Sequence, residues 1–425
     1  MKVFNNPAKK DWNALLKRPS LDAASLENDV LKILAAVKQG GDAAVKKLTE
    51  QFDAVQLDSL QVSEKEINEA VALVHTDLKK AIQQAADNIF AFHSKQSSPP
   101  EIIETMPGVH CWRKSVAIEK VGLYIPGGTA PLFSTLLMLG IPASIAGCRE
   151  IVLCSPPGKD GKIHPAILYA ATVVGITKII KAGGVQAIAA MAYGTETIPQ
   201  VYKILGPGNQ YVTCAKQLVQ KDGIAIDMPA GPSEVAVYAD ESAVPAFVSA
   251  DLLSQAEHGA DSQVLLVTNN ASIVSMVEKE IANQLENLPR KEIARKALAN
   301  SKAIIIDDEQ SAIDLLNEYA AEHLILSCNN ADKLAEKIIN AGSVFIGNYS
   351  PESVGDYASG TNHTLPTNGY AKAYSGVSVD SFVKKITFQK LTEQGLHNIG
   401  QTVELMAAAE GLDAHKNAVS IRLKE

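Results

Sequence analysis

The spacing of apolar and polar residues follows two different patterns along the chain. Across residues 25–92, apolar side chains recur at helical spacing with charged residues between them, which predicts amphipathic helices. Residues 94–106 begin with a Ser- and Pro-rich run that breaks this pattern and predicts a connection. From residue 116 onward, short β-rich runs alternate with Ala-rich helical runs. This alternation predicts βαβ units and a mostly parallel sheet covered by helices.

The alternating region contains two successive series of elements. In the first series, strands are predicted at 117–125, 150–154 and 178–181, and helices at 132–148, 165–175 and 185–193. In the second, strands are predicted at 263–268 and 303–306, and helices within 271–299 and 311–321. Two α/β units are therefore expected, and residues 381–425 are expected to return to helix.

Gly- and Pro-containing turns at residues 125–128 and 226–233 enclose the first series, which indicates that one α/β unit is inserted in the other. A chain of 425 residues is expected to form two or three domains at roughly 100–200 residues each. The predicted parts are an N-terminal segment at 1–24, a discontinuous first α/β domain at 25–123 and 234–375, an inserted second α/β domain at 124–233, and a helical tail at 376–425.

Composition narrows the class of protein. The net charge of −8 is spread without long runs of one sign, so it indicates neither a nucleic-acid partner nor a membrane surface. The most apolar tract, at 136–148, is interrupted and falls short of the ~20 residues that cross a bilayer. Five cysteines without a Cys-x-x-Cys pair favour a reducing compartment, and no apolar signal core begins the chain. The sequence predicts a cytoplasmic protein.

Two glycine-rich turns follow predicted strands and precede predicted helices, at residues 120–131 and 205–211. Glycines in such turns let the backbone approach a phosphate, and the helix N-terminus that follows favours negative charge. The dinucleotide fingerprint Gly-x-Gly-x-x-Gly is absent, however. Considered alone, these turns are better explained as ordinary strand-to-helix connections than as a phosphate site.

Residues able to bind a metal occur in separate stretches. Gln255 and His258 lie three residues apart near the end of a predicted helix and therefore face the same side. Asp356 belongs to a predicted loop rich in Gly, Ser and Thr, and His415 lies in the tail. Together they would supply two imidazoles, a carboxylate and an amide oxygen, a set that suits zinc or manganese. Helix caps or solvated side chains would explain each stretch separately, so spacing leaves their meeting open.

Further residues are suited to acid–base chemistry. Glu322 and His323 are adjacent at a predicted helix-to-strand transition, where consecutive side chains point in different directions. They are poorly placed to chelate one ion, but could act on opposite sides of a substrate. His363 in the same Gly- and Ser-rich loop and Glu410 in the tail are additional candidates. A solvated position is the alternative interpretation of each.

Seven motifs, in order along residues 25–425, resemble those of the L-histidinol dehydrogenase family. They are Val121-Gly-Leu-Tyr-Ile-Pro-Gly-Gly, Gly206-Pro-Gly-Asn, Pro229-Ala-Gly-Pro-Ser-Glu, Gln255-Ala-Glu-His-Gly, Ala321-Glu-His-Leu, Gly360-Thr-Asn-His-Thr-Leu-Pro-Thr and Glu410-Gly-Leu-Asp-Ala-His. One departure is Ala130-Pro-Leu-Phe-Ser-Thr, where many members have a Tyr-Pro-Ser run. The departure affects the expected details of NAD contact and leaves the chemistry unchanged.

The resemblance implies a fold similar to that of aldehyde dehydrogenases, with two incomplete Rossmann-like domains and small terminal pieces. It also implies a homodimer that shares its active site between subunits, one Zn²⁺ per subunit with Mn²⁺ as a substitute, and NAD as cofactor. By this resemblance the acid–base pair reaches the active site from the partner subunit.

The same resemblance implies a role for each candidate residue. Zinc ligands would be Gln255, His258, Asp356 and His415. The acid–base pair would be Glu322 and His323, and NAD contacts would be Tyr124, Gln186 and Asn209. Substrate contacts would be Ser233, His363 and Glu410, together with the four zinc ligands and the acid–base pair.

The reaction implied is oxidation of L-histidinol through L-histidinaldehyde to L-histidine, the last steps of histidine biosynthesis, with reduction of two NAD. Our hypothesis is that zinc chiefly orients the substrate, that His323 takes the hydroxyl proton, and that Glu322 activates the water that hydrates the aldehyde. A cysteine thiolate at Cys111 or Cys154 is the alternative mechanism, although neither lies in a recognisable nucleophile motif. Alternative functions are a metallohydrolase, a non-catalytic metal-binding protein, and a related dehydrogenase of another amino alcohol or diol.

Overall fold

The computed structural model describes residues 1–18, 23–127, 131–229 and 231–424. Parts of the predicted N-terminal segment, Gly128 of the first motif, Ala130 of the departure and Ala230 of the third motif lie outside the described residues. The elements before the first parallel sheet are β1 (Lys2–Asn5), α1 (Trp12–Leu15), α2 (Ala23–Asp53), α3 (Glu64–Leu73), α4 (Thr76–His93), β2 (Ile102–Met106) and β3 (Val109–Ala117).

The first predicted α/β series forms a five-stranded parallel sheet with strand order β6-β5-β4-β7-β8. Its elements are β4 (Lys120–Tyr124), α5 (Phe133–Ala146), β5 (Glu150–Ser155), α6 (Pro165–Val173), β6 (Lys178–Lys181), α7 (Gly184–Tyr193), β7 (Lys203–Leu205), α8 (Gln210–Val219) and β8 (Ala225–Ile226). Successive residues of β4 point to opposite faces, with Val121 and Leu123 in one core and Tyr124 in the other.

The second predicted series forms a six-stranded parallel sheet with strand order β1-β11-β10-β9-β12-β13. Its later elements are β9 (Glu234–Ala239), α9 (Pro245–Ala256), β10 (Gln263–Thr268), α10 (Ala271–Leu285), α11 (Lys291–Ala299), β11 (Lys302–Ile305), α12 (Glu309–Tyr319), β12 (His323–Ser327), α13 (Ala331–Ala335), β13 (Ser343–Ile346) and α14 (Glu352–Tyr357). The expectation of two parallel-sheet units with helices on both faces is confirmed.

The prediction that residues 381–425 return to helix is wrong for the first part of the tail. It contains β14 (Val383–Leu391), α15 (Glu393–Ala409) and α16 (Asp413–Ser420). β14 pairs antiparallel with β3 along its whole length, and β2 completes this three-stranded sheet. β2 lies within the predicted connection at 94–106, so that prediction is also wrong there. The apolar spacing in β14 suits either a helix or a strand, and pairing with a distant strand decides between them.

Helices α2, α3 and α4 do not pack with the six-stranded sheet, although residues 25–123 were assigned to the same domain as residues 234–375. They cover the five-stranded sheet instead, because their apolar faces enter its two cores. β4 pairs with that sheet as well, from Lys120 onward. The other predicted domain boundaries remain a proposal.

The two sheets meet at opposite strand ends. The carboxyl ends of β7 and β8 lead to Gly206 and Asp227, and the amino ends of β9 and β12 carry Ser233 and His323. All four residues line one cavity. Among the described helices, none combines the length and apolar character needed to span a membrane.

Phe382 packs the start of the tail into the hydrophobic core of the five-stranded sheet. It is fully buried in the core between the five-stranded sheet and α5, directly before β14. We expect Phe382→Ala to lower the free energy of unfolding by about 3–5 kcal/mol, because truncating a buried Phe leaves a cavity. The shift would be measured as a lower urea midpoint, with Phe90→Ala, at 56% exposure, as the control. Equal shifts for both variants would contradict this account.

Candidate active site

Seven of the predicted metal-binding, acid–base and substrate-contact residues line a single cavity of about 1110 Å³ between the two sheets. The elements that supply them are distant in sequence and are brought together by the parallel strands and the connections at their ends. The seven residues are Ser233, Gln255, His258, Glu322, His323, Asp356 and His363. The cavity therefore unites the predicted acid–base pair with three of the four predicted metal ligands.

His323 lies at the centre of this group. Its Nε2 atom is 3.1 Å from Oδ1 of Asp356, and its Nδ1 atom is 3.7 Å from Oε2 of Glu322. The Gln255 amide nitrogen approaches the same Nδ1 at 3.4 Å. The side chain is only 3% exposed, since β12 is an interior strand flanked by β9 and β13.

The predicted acid–base pair belongs to the same chain as these ligands. The expectation that Glu322 and His323 reach the site from the partner subunit is therefore wrong. Its physical reason is the register of β12, which places His323 beside Val235 of β9 and within hydrogen-bonding distance of Asp356. The predicted helix-to-strand transition is confirmed, because α12 ends at Tyr319 and β12 begins at His323.

The carboxylate of Glu322 accepts a hydrogen bond from a backbone N–H. The amide N–H of Glu234 donates to Oε2 of Glu322 over 3.0 Å within the protein interior. Burial raises the pKa of the Glu322 carboxyl, and the neighbouring His323 opposes this shift. A carboxyl group with a raised pKa exchanges protons more readily near neutral pH, which suits a general base.

Opposite effects act on the pKa of the groups around His323. Burial by itself lowers the pKa of His323, but Glu322, Glu352 and Asp356 outweigh burial and raise it. Burial by itself raises the pKa of Asp356, but the hydrogen bond from His323 and the charges of the neighbouring histidines together outweigh burial and lower the pKa. The pair therefore favours an ionised carboxylate beside an imidazole that readily holds a proton.

Gln255 and His258 lie at the C-terminal end of α9. The backbone N–H of His258 donates to the carbonyl oxygen of Gln255, so the last turn keeps both side chains on the cavity side. Gln255 is 1% exposed, and its side-chain oxygen has no hydrogen-bond partner. A buried oxygen without a partner is costly, and a metal ion would satisfy it. The residue therefore fits the predicted ligand role.

His258 and His363, unlike His323, favour the neutral imidazole, which is the form that a metal ligand requires. His258 lines the cavity, but the surrounding protein still shields it from water, and this burial lowers its pKa. The negative charge of Asp356 acts in the opposite direction and is the smaller effect. Burial also lowers the pKa of His363. The His363 ring is held between the hydroxyl of Thr135, 2.9 Å from Nε2, and the backbone oxygen of Asp356, 2.6 Å from Nδ1.

Two predicted residues stand apart from this group. Glu410 follows α15, His415 lies on α16, and both are exposed and do not line the cavity. Within the described ranges, no three His, Cys, Asp or Glu side chains come together as a metal site. The reason is that His415 stays with the tail while Gln255, the remaining predicted ligand, is an amide. Asp356 lies on α14 rather than on the predicted loop.

The predicted NAD contacts line a second cavity of about 1580 Å³ at the carboxyl edge of the five-stranded sheet. Tyr124 ends β4, and its hydroxyl accepts from the backbone N–H of Gly184, at the start of α7. Gln186 follows in the first turn of α7 and is buried. Asn209 caps α8 and lines both cavities, which therefore adjoin.

A buried ion pair fixes the turn that carries Asn209. Lys216 pairs with Asp227 and donates to the carbonyl oxygen of Gly206 over 2.8 Å. The N–H of Gly206 donates to Asp227 over 2.8 Å, so both sides of this residue are held. Gly206 has φ of 132°, and a Cβ there would collide with the carbonyl oxygen of Tyr124. Only glycine fits this turn.

The cysteines are poorly placed for a thiolate mechanism. All five, which lie in the described part of the chain, are free thiols. Burial raises the pKa of Cys154 far above its ordinary range, and burial raises that of Cys148 to about 11. Cys111, Cys148 and Cys154 do not line the cavity with the acid–base pair; Cys214 does line it, and burial raises the pKa of its thiol. Thiols with raised pKa values are weak nucleophiles.

Several residues of the site were not found from sequence. Glu352 is 1% exposed, and its Oε2 atom has no hydrogen-bond partner. Its position four residues before Asp356 was the available signal, because that spacing places both on one helix face. Thr135 and Glu234 act through partners hundreds of positions away or through their backbone, and no local pattern indicates either contact.

Comparisons with known proteins agree over the whole chain. The sequence profile described as Histidinol dehydrogenase matches residues 16–423. Histidinol dehydrogenase of Bacteroides thetaiotaomicron is 61% identical over 423 residues, covering 100% of this chain and 99% of that protein. The chloroplastic histidinol dehydrogenase of Arabidopsis thaliana is 54% identical over 416 residues, covering 97% of this chain and 89% of that protein.

A solved structure gives the same result. The crystal structure of histidinol dehydrogenase from Elizabethkingia anophelis superposes with a TM-score of 0.98 at 57% sequence identity, covering 100% of this chain and 98% of that one. Sequence and fold are thus similar from end to end, including the segments that supply the two cavities. This chain therefore belongs to the histidinol dehydrogenase family of oxidoreductases.

Proposed function

We propose that this enzyme oxidises L-histidinol to L-histidine through L-histidinaldehyde, with NAD as the electron acceptor in both steps. The observation that carries the proposal is the convergence of Glu322 and His323 with three metal-ligand candidates in a cavity adjoining that of the NAD-contact candidates. An alcohol oxidation followed by an aldehyde oxidation needs a base for the hydroxyl proton and an activated water. The buried imidazole and the buried carboxylate are suited to these two tasks.

Gln255, His258 and Asp356 would hold the metal, which we propose to be Zn²⁺, with Mn²⁺ as a substitute. The partnerless oxygen of Gln255 and the lowered pKa of His258 support this assignment. When bound, zinc would orient the substrate through its imidazole and amino nitrogens. Ser233 and His363 line the same cavity and would contact the substrate.

His323 would take the hydroxyl proton in each oxidation, while Glu322 would take a proton from the water that hydrates the aldehyde. Nδ1 of His323 lies 3.7 Å from Oε2 of Glu322, so the two groups lie side by side in the cavity. Each group would face a different reacting atom. The Glu234 N–H and Asp356 hold the two groups in place without competing for the same proton.

Tyr124, Gln186 and Asn209 would bind NAD, which accepts the hydride of each step. The turn between β7 and α8 presents a helix N-terminus at Asn209, and such a terminus favours phosphate. Lys216 and Asp227 would keep this turn in position beside the substrate cavity.

Glu410 and His415 would complete the active site of the partner subunit in a homodimer. Both are exposed and remote from the cavity of their own chain. The helix before Glu410, α15, also exposes large apolar side chains: Leu405 is 65% exposed and Met406 is 61% exposed. Exposed apolar surface of this kind is typical of a protein interface. A cytoplasmic location would suit the free cysteines, and no nucleic-acid or membrane partner is proposed.

We expect two NADH to form for each L-histidinol consumed, and we expect a chelator to abolish turnover. The ratio follows from two successive two-electron oxidations, and added Zn²⁺ should restore activity. NADH absorbance and chromatography of L-histidine would provide the measurement. A ratio near one would remove the second oxidation, and turnover of another amino alcohol or diol without turnover of histidinol would reassign the substrate.

Glu322→Gln should separate the two oxidations. The amide keeps the shape of the side chain but cannot accept a proton, so alcohol oxidation should persist while aldehyde oxidation falls about 10²–10⁴-fold. Stopped-flow NADH formation from histidinol and from histidinaldehyde would measure each step. Equal loss of both steps would show that Glu322 does not serve water activation alone.

Mixing two variants that each fail to form L-histidine would test the shared site. Glu322→Gln and His415→Asn disable groups that we assign to different subunits of one site, so dissociation and reassociation should yield mixed dimers with one intact site. About a quarter of the wild-type turnover is expected from random pairing into symmetric dimers. Each variant taken alone through the same treatment is the control. No recovery in mixed dimers would place both groups on one chain.

A further inference from the structure

The backbone of Glu234 contacts both members of the proposed acid–base pair. Its N–H donates to Oε2 of Glu322 over 3.0 Å, and its carbonyl oxygen lies 3.4 Å from Nδ1 of His323. Glu234 is the first residue of β9, and the residue before it, Ser233, lines the substrate cavity. A shift of this one peptide segment would therefore move the surroundings of both groups together.

The side chain of Glu234 is held by Arg18 from the N-terminal segment. Arg18 donates through Nε and Nη2 to the two carboxylate oxygens, over 2.5 and 2.9 Å. The same guanidinium donates to the carbonyl oxygen of Tyr319 over 2.6 Å and lies 4.1 Å from the centre of its ring. The Glu234 side chain is 2% exposed and that of Arg18 is 14% exposed, and Arg18 also lines the cavity that contains the acid–base pair.

The segment that carries Arg18 is itself anchored. Trp12 and Leu16, directly before it, are buried against Ala236 and Tyr238 of β9 in the core of the six-stranded sheet. Arg18 therefore approaches Glu234 from a packed segment rather than from a free terminus. The N-terminal segment and the strand that supports the acid–base pair form one unit.

We propose that Arg18 is a positioning residue, which acts through Glu234 to hold Glu322 in its working place. The inference rests on the proposed function, because it requires Glu322 to act in the second oxidation. A buried ion pair is often no more stabilising than apolar side chains of similar size. What the pair supplies here is a fixed position for a peptide N–H that donates to the catalytic carboxylate.

The decisive variant is the double substitution Arg18→Met with Glu234→Met, which removes both charges and leaves no unpaired ion in the core. We expect kcat for histidinaldehyde oxidation to fall about 10- to 100-fold, as a small misplacement of a catalytic group would cause. KM for both substrates should stay within about twofold, and alcohol oxidation should fall less than aldehyde oxidation. A double variant with wild-type kcat for the aldehyde would overturn the proposal.

Conservative variants and a control sharpen the test. Glu234→Gln keeps an oxygen that can accept from Arg18, and should retain more kcat than Glu234→Met. The single Met variants and the double variant form a cycle, in which losses should not multiply if Arg18 acts only through Glu234. The control is Lys9→Met. Lys9 lies in the same N-terminal segment as Arg18, but its ion pair with Asp314 is exposed, so both oxidations should stay unchanged. Multiplying losses, or an equal loss for Gln and Met, would overturn the proposal.

These measurements distinguish failure of the proposed function from failure of the proposed role of Arg18. If wild-type protein forms no NADH from histidinol or histidinaldehyde, the proposed function fails. If wild-type protein performs both steps and the folded double variant performs them equally well, only the role of Arg18 fails. Urea midpoints for every variant identify the folded species, and a single variant that does not fold leaves the double variant as the deciding comparison.

Discussion

The burial of His323 among three carboxyl groups and an amide is the constraint on which the site depends. An imidazole so enclosed is stable only when each neighbour is held at a fixed distance, since an unpaired buried charge is costly. Asp356 is supplied by α14, Glu322 by the end of the α12–β12 connection, and Gln255 by α9. The parallel strands β9 and β12 fix these three supports relative to one another.

This constraint explains why so much of the cavity lies at strand ends. Within a parallel sheet the interior strands are packed on both faces and have little freedom, whereas the residues at their ends can carry polar groups. β9 and β12 begin at Glu234 and His323, and β7 ends just before Gly206. Polar residues at the strand ends of the two sheets therefore line one cavity, and the hydrophobic cores of the sheets are not interrupted.

Sequence reasoning succeeded where the signal was local. The β-rich and Ala-rich alternation predicted both parallel sheets, and the family resemblance predicted eight residues that line one cavity, with Asn209 among them. It failed where tertiary pairing decides, as in β14, whose apolar spacing suits a helix or a strand. The Arg18–Glu234 pair spans 216 positions, and neither residue lies in a motif that implies the other. The subunit of origin of Glu322 was likewise beyond local pattern, since it depends on strand register.

Two of the seven buried polar side-chain atoms that lack a hydrogen-bond partner among the described residues lie near His323. The buried side-chain oxygens of Gln255 and Glu352 both lie close to His323, while Glu410 and His415 remain exposed in a tail with exposed apolar side chains. A folded chain tolerates few buried polar atoms without partners, so two of them beside one histidine indicate a site that is completed by other groups. In the function proposed above, these groups are a metal and a second subunit. The same physical condition, satisfaction of buried polar atoms, would thus couple metal binding to assembly of the dimer.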